Sequence, residues 1–180
     1  MNNRNDSVIK LAKMGMLIAV SIILVYLIRL SIFPSAPFLQ YDPGAIPMLI
    51  ASFAFGPLAG LAVTVVTAVI QTLTVSASGG PYGLIMNILA SGAFVVTAGA
   101  IYHTGKDKSR IKAIIGLACG MLAATVIMIP ANYAITPAFT GLPTSAVTAM
   151  LPVIIAFNLI RTGINAVVTF FLYKRIKRFL

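Results

Sequence analysis

Long apolar runs, separated by short polar or Pro/Gly-rich stretches, organise this chain. A helix that spans a bilayer needs roughly 20 mostly apolar residues, and the pattern predicts six membrane helices. Their predicted ranges are residues 12–33, 44–55, 58–77, 82–102, 112–134 and 145–173. The second is short because Gly56-Pro57 follows it, and proline lacks the donor that a helix interior needs. The predicted fold class is an all-α integral membrane bundle of six helices, one domain over residues 1–180.

Composition excludes a soluble domain. Hydrophobic residues make up 59% of the chain and charged residues only 9%, whereas soluble domains carry about 25% charged residues. The first apolar run lacks a small-x-small cleavage site, so we expect a retained helix and not a signal peptide. One cysteine and one histidine cannot form an internal disulfide or a Cys-based metal site. We therefore expect no metal and no cofactor.

The basic residues are concentrated in three segments at the ends of the predicted helices. Eleven of the thirteen Lys and Arg residues lie before or at the start of the first predicted helix, between the fourth helix and the start of the fifth, or after the sixth. With six helices these three segments share one side of the membrane. The positive-inside rule makes that side, and both termini, cytoplasmic. The net charge of +10 thus indicates topology and contact with anionic membrane lipid, and it does not indicate nucleic acid as a partner.

Polar residues recur at helical spacing inside several predicted spans. Residues three, four and seven apart share a helix face. Such positions are Asn158, Arg161 and Asn165 on the sixth helix, Thr64, Thr67, Gln71 and Thr74 on the third, Asn87 and Ser91 on the fourth, and Asn132 and Tyr133 at the outer end of the fifth. Polar groups inside a membrane face the bundle interior or a watery cavity. We expect these stripes to face one another near the outer side, either as a binding site or as contacts that hold helices together.

Arg161 narrows the class of protein. Arginine stays protonated in proteins and needs an acceptor, yet Asp6, Asp42 and Asp107 all lie in predicted tails or loops. Its partner is then an amide or a backbone carbonyl, Asp42 reaching in from its loop, or a ligand. Buried carboxylates or histidines would be needed for a proton relay or for general acid–base catalysis. The pattern favours a binder of a small polar molecule that has no energy source of its own.

The predicted external loops are aromatic and Pro/Gly-rich. They contain Phe33, Phe38, Tyr41, Tyr82 and Phe139. Such residues form either an interfacial aromatic belt or a lid over a flat ligand. Because amide side chains both donate and accept hydrogen bonds, the polar stripes suit a heterocycle with imide or amide edges. An arginine there suits carbonyl oxygens or an anion.

Several stretches carry a family resemblance over nearly the whole chain. They read "FAFGPLAG" at 53–60, "NILASGAFV" at 87–95, "NYAITP" at 132–137 and "FNLIRTGINAVVTFFLYKR" at 157–175. In this order the stretches resemble the riboflavin-specific substrate-binding subunits, or S components, of energy-coupling factor (ECF) transporters. Two positions of the last stretch depart from the family pattern. Arg161 stands where lysine is usual, and Thr162 intervenes before Gly163.

The resemblance implies a function and partners. It implies a six-helix S component of the bacterial cell membrane that captures riboflavin from outside with high affinity and has no enzymatic activity. Uptake would require a transmembrane coupling subunit (T component) and two ATP-binding subunits. In this family a small-xxx-small motif on the first helix docks the coupling subunit. Gly15 and Ala19 match that motif, with Ala12 on the same face.

The resemblance and the polar stripes together give the predicted substrate-binding residues. Family contacts carried over by position are Asn132, Asn158, Arg161, Asn165 and Tyr41. The stripes add Asn87 and Gln71, and Phe38 or Tyr133 joins Tyr41 as a candidate to stack on the flavin ring. The alternatives are an S component for another vitamin or for FMN, a membrane enzyme that acts on a lipid, and a structural membrane subunit.

Overall fold

The computed structural model describes residues 3–34, 39–105 and 108–176. These residues form six α-helices, two very short strands and one 3-10 turn. The helices are α1 Asn3–Leu27, α2 Ala45–Phe55, α3 Pro57–Leu73, α4 Gly80–Tyr102, α5 Arg110–Thr140 and α6 Thr144–Ile176. Four of them, α1, α4, α5 and α6, are long and apolar enough to cross a membrane, and α2 and α3 are shorter apolar helices. The chain is an all-helical membrane protein.

The segment after α1 differs from the sequence prediction. The hydropathy pattern extended the first helix to residue 33, whereas α1 ends at Leu27. Strand β1 (Leu30–Ser31) instead pairs antiparallel with β2 (Gln40–Tyr41), with Leu30 opposite Tyr41. This pairing satisfies backbone groups between strands, which hydropathy alone does not reveal. At its other end α1 begins at Asn3, so Asp6 lies in its first turn and not in a preceding tail.

Glycine and proline set the helix boundaries around α3. The break predicted at Gly56-Pro57 is present: Gly56 has φ +100° and Pro57 occupies the first turn of α3, where a missing N–H costs nothing. At the other end α3 stops at Leu73, four residues before the predicted end at residue 77. The chain then forms the 3-10 turn Ala77–Gly79. Gly80, at φ +50°, starts α4 from a conformation that favours glycine.

Helix α2 lies at the centre of the bundle, with every residue from Ala45 to Phe53 buried. Helices around it approach one another closely because they present glycine. A Cβ at Gly99 of α4 would collide with the Ser52 hydroxyl of α2. A Cβ at Gly116 of α5 would lie 2.7 Å from the Ala98 carbonyl oxygen of α4. Small residues allow membrane helices to pack backbone against backbone, so α2, α4 and α5 form a tight core.

Helix α1 is peripheral. It packs against α2 and α3, and Ala12, Gly15 and Ala19 remain exposed on it. No described atom from elsewhere in the chain lies within 4 Å of a Cβ built at Gly15. The predicted docking motif therefore lies on a face that the rest of the described chain leaves open.

Candidate functional site

A cavity of about 270 Å³ lies where α3 ends and α4 begins. The middle of α6, the second half of α5 and the segment around β2 complete its wall. Its volume is just below the roughly 300–1,000 Å³ that is typical of small-molecule sites. Four of the predicted binding residues, Gln71, Asn87, Asn158 and Arg161, border this cavity. The polar stripes of α3, α4 and α6 therefore meet, as their spacing predicted.

A chain of hydrogen bonds joins these stripes and has a fixed direction. Arg161 Nη2 donates to Ser91 Oγ at 3.4 Å, and Ser91 Oγ donates to Asn87 Oδ1 at 2.9 Å. Asn87 Nδ2 then donates to Gln71 Oε1 at 2.9 Å. Because a guanidinium can only donate, each following group must accept on one side and donate on the other. The amide nitrogen of Gln71 is consequently the free end of the chain.

Arg161 forms an ion pair with a loop carboxylate. Its Nη2 lies 3.3 Å from Asp42 Oδ2, and the two side chains are only 11% and 16% exposed. Of the three kinds of partner considered for Arg161, the structure shows Asp42. The other oxygen of this carboxylate, Oδ1, accepts the Gly44 N–H at 3.0 Å, which fixes its orientation. The charge of Arg161 is therefore neutralised within the protein.

Tyr41 and Asn165 lie behind this pair and do not border the cavity. Asn165 Nδ2 donates to the Asp42 carbonyl oxygen at 3.2 Å, and Asn165 Oδ1 accepts the Tyr41 hydroxyl at 3.2 Å. Burial and then the Asp42 charge raise the pKa of Tyr41, against an opposing effect of Arg161. The hydroxyl stays protonated and can donate. The two residues hold the segment around Asp42 in place, and their role as direct ligand contacts stays a prediction.

Asn132 and Tyr133 also lie away from the cavity wall. Asn132 is fully buried; its Nδ2 donates to the Met128 carbonyl oxygen at 2.7 Å, and its Oδ1 accepts the Thr136 hydroxyl at 2.8 Å. Tyr133 donates to the Thr148 hydroxyl at 3.1 Å. Phe38 lies outside the described residues. The roles predicted for these three residues in substrate binding stay predictions.

Three aromatic residues that were not among the predicted binding residues border the cavity, namely the buried Phe157 of α6 and the pair Tyr82 and Phe139. Tyr82, in the first turn of α4, and Phe139, near the end of α5, both line it. Their ring centroids are 6.0 Å apart and their planes are inclined by 53°. Both had been noted as loop aromatics, but the sequence did not show that they converge. An aromatic edge of this kind offers a surface on which a planar ligand can stack.

Two buried polar atoms beside the cavity lack a partner within the described chain. They are the acceptor Gln40 Oε1 and the donor Gln71 Nε2, and both residues border the cavity. A buried polar group without a hydrogen bond costs about 1–3 kcal/mol. A ligand that offers both a donor and an acceptor would recover this cost. The sequence analysis did not predict Gln40 as a binding residue, because it lies in a connecting segment where no helical spacing marks it.

The structure thus defines a helical membrane protein with a polar, aromatic-edged cavity near one end of its bundle. Residues 9–173 match the model of the ECF transporter substrate-specific component family. The match covers most of the chain, which therefore belongs to this family.

Known relatives agree with this assignment. The chain is 31% identical over 179 residues to the riboflavin transporter RibU of Staphylococcus aureus (strain TCH60), covering 95% of this chain and 92% of RibU. It is 32% identical over 155 residues to the riboflavin transporter FmnP of Bacillus subtilis (strain 168), covering 81% and 80% of the two chains. A solved S component of a bacterial ECF transporter superposes with a TM-score of 0.83 at 30% identity, covering 94% and 96%.

Proposed function

We propose that this protein is the riboflavin-binding subunit of an ECF uptake transporter and that riboflavin occupies the cavity beside Arg161. The main support for this proposal is a pair of buried polar atoms without partners, the donor Gln71 Nε2 and the acceptor Gln40 Oε1. Both residues border the cavity. The names of the two relatives, both riboflavin transporters, support the choice of ligand.

The flavin ring system matches this wall chemically. Its pyrimidine edge carries two carbonyl groups and an imide N–H, which complement an amide donor, an amide acceptor and the remaining N–H groups of Arg161. Its flat body suits the aromatic edge formed by Tyr82 and Phe139. Its ribityl hydroxyls suit polar wall groups such as Asn158. The wall offers hydrogen-bonding and stacking groups, which suit the substrate-binding subunit of a transporter.

The charge balance at the site bears on the second candidate, the phosphorylated flavin FMN. An arginine with no acidic partner would attract a phosphate, but Asp42 neutralises Arg161 at 3.3 Å. A phosphate beside this pair would be repelled by the negative charge of Asp42. The observation that favours FMN is Arg29, which borders the same cavity. Arg29 donates to the neutral Val75 carbonyl oxygen and keeps its charge, so our choice of the uncharged flavin rests on the Asp42 carboxylate and on the two riboflavin transporters among the relatives.

We further propose the membrane orientation and the partners. All six helices would lie within the membrane, and the end that carries the basic segments would be cytoplasmic. The cavity lies at the opposite end and would open to the outside. The exposed face of α1 with Ala12, Gly15 and Ala19 would dock the coupling subunit, since small residues allow close helix contact. Two ATP-binding subunits would then supply the energy for uptake across the bacterial cell membrane.

A titration of the detergent-purified protein tests the ligand. We expect riboflavin to quench its own fluorescence on binding at a ratio of one per chain and to raise the unfolding temperature, because a ligand that binds only the folded state stabilises it by mass action. Thiamine and biotin at equal concentration serve as controls for an S component of another vitamin. If riboflavin produces neither change, or if a control vitamin produces both, the assignment is wrong.

A further inference from the structure

A second cavity, also of about 270 Å³, lies at the basic end of the bundle. It is bordered by the end of α2, the end of α4, the start of α5 and the end of α6. The function proposed above makes no use of it. Its residues fall into two sets of different chemistry, a buried aromatic floor and an exposed cationic rim.

The floor consists of Phe53, Tyr102 and Tyr173, all of them buried. The Tyr102 hydroxyl donates to the Tyr173 hydroxyl at 3.5 Å, which donates to the Phe53 carbonyl oxygen at 3.2 Å. The rings pack together, with the centroids of Phe53 and Tyr102 4.6 Å apart. Both hydroxyl protons are therefore used within the floor, which presents mainly aromatic carbon to the cavity.

The rim carries three cations, Lys108, Arg110 and Lys174, and all three side chains are exposed. Within residues 3–34, 39–105 and 108–176 none of them has an ion pair or a side-chain hydrogen bond. Arg110 also begins the 31-residue helix α5, whose amino-terminal end carries partial positive charge. Three unpaired positive charges above an apolar floor suit an occupant with an anionic head and an apolar body.

We propose that this cavity binds an anionic phospholipid, with the headgroup phosphate at Lys108, Arg110 and Lys174 and the first part of an acyl chain on the aromatic floor. Basic pockets between membrane helices are suited to such headgroups. If α4 and α6 span the membrane as proposed above, the site at their ends lies where the membrane meets water. Free inorganic phosphate has the same charge chemistry, but it would leave the aromatic floor without a partner.

Native mass spectrometry of the detergent-solubilised full chain tests this proposal with phosphatidylglycerol as the probe. Phosphatidylcholine of the same acyl chains tests the need for net negative charge, and inorganic phosphate tests the need for tails. The test variant is Lys108→Gln/Arg110→Gln/Lys174→Gln. The matched control, Lys10→Gln/Lys13→Gln/Arg175→Gln, removes two lysines and one arginine from the same end but outside the cavity. Circular dichroism and riboflavin titration verify that both variants are folded.

We expect one phosphatidylglycerol to remain bound to the parent and to the control variant, and its affinity to fall on the order of 100-fold in the test variant. Equal losses in both variants would show general surface attraction and would overturn the site. Equal retention of phosphatidylcholine, or displacement of phosphatidylglycerol by millimolar inorganic phosphate, would overturn the anionic lipid as the occupant. Unchanged lipid binding in the test variant, with failed assembly onto the coupling subunit, would make the cavity a protein-docking surface instead.

Discussion

Replacing Asp42 with asparagine should weaken the preference of the cavity for riboflavin over its phosphate ester FMN. Asparagine keeps the size of the side chain and an oxygen that can accept the Gly44 N–H, now at 3.0 Å from Asp42 Oδ1. It removes only the negative charge that lies 3.3 Å from Arg161. The cavity then contains an uncompensated guanidinium, which attracts a phosphate.

The size of the effect follows from the dimensions of the site. A cavity of about 270 Å³, taken as a sphere, is roughly 8 Å across, so a bound phosphate lies within roughly that distance of Asp42. A phosphate monoester carries about −1.5 to −2 charges at pH 7. At roughly 8 Å its repulsion by one carboxylate is about 3–4 kcal/mol at an effective dielectric constant near 20 and about 0.8–1 kcal/mol in bulk water. The ratio of the two dissociation constants should therefore shift by roughly 4- to 1,000-fold towards FMN.

Competition titrations of riboflavin and FMN on the purified protein measure this ratio directly. The control is Asp6→Asn, which removes the same charge from the first turn of α1 and should leave the ratio unchanged. Raising the ionic strength should shrink the shift, because the screening length is about 10 Å at 0.1 M salt. If Asp42→Asn binds riboflavin yet discriminates against FMN as strongly as the parent, the electrostatic account of selectivity is refuted.

Four further substitutions test the site and the docking face. Arg161→Ala should weaken riboflavin binding by about 1.5–3 kcal/mol, as expected for a hydrogen bond to a charged group; unchanged affinity in a folded variant would leave Arg161 a structural role only. Gln40→Met should lower riboflavin affinity by about 1 kcal/mol, because it removes an acceptor for the ligand. It should also raise the unfolding temperature of the ligand-free protein, because that acceptor is buried without a partner. A fall in both the affinity and the unfolding temperature would contradict this. Tyr82→Leu should cost about 0.5–1.5 kcal/mol of riboflavin binding if the ring stacks on the flavin, and an unchanged dissociation constant would exclude stacking. Gly15→Leu should spare riboflavin binding and abolish co-purification with the coupling subunit, whereas loss of binding would place α1 at the site.

Helical spacing could reveal part of the site from the sequence. Because residues four apart share a helix face, Asn87 and Ser91 could be placed together on α4. Polar groups are unfavourable in hydrocarbon, so this face was predicted to point into the bundle. The same reasoning required an acceptor for Arg161 and named Asp42 as one of three kinds of partner. The structure shows that ion pair at 3.3 Å.

Spacing could not show which polar side chains remain available to a ligand. Asn132 bonds to the carbonyl of Met128 one turn earlier and accepts the hydroxyl of Thr136 one turn later, which uses the amide within its own helix. Gln40 and Tyr82 reach the cavity through the strand pair and the turn before α4. Their positions depend on tertiary contacts and not on any local period, so the pattern along the chain did not identify Gln40 and marked Tyr82 only as a loop aromatic of a belt or a lid.

The ion pair also gives Arg161 a counter-charge that does not depend on a ligand. A buried arginine that relied on its ligand for a counter-charge would be left unpaired on release, at a cost of about 3–5 kcal/mol. Here the counter-charge comes from Asp42, whose segment is tied to α6 a second time through Asn165. The cavity can therefore exchange an uncharged ligand without creating an isolated charge in either state. Under the proposed function, capture and release of a vitamin would both benefit from that property, and it would be lost if the ligand itself were the anion.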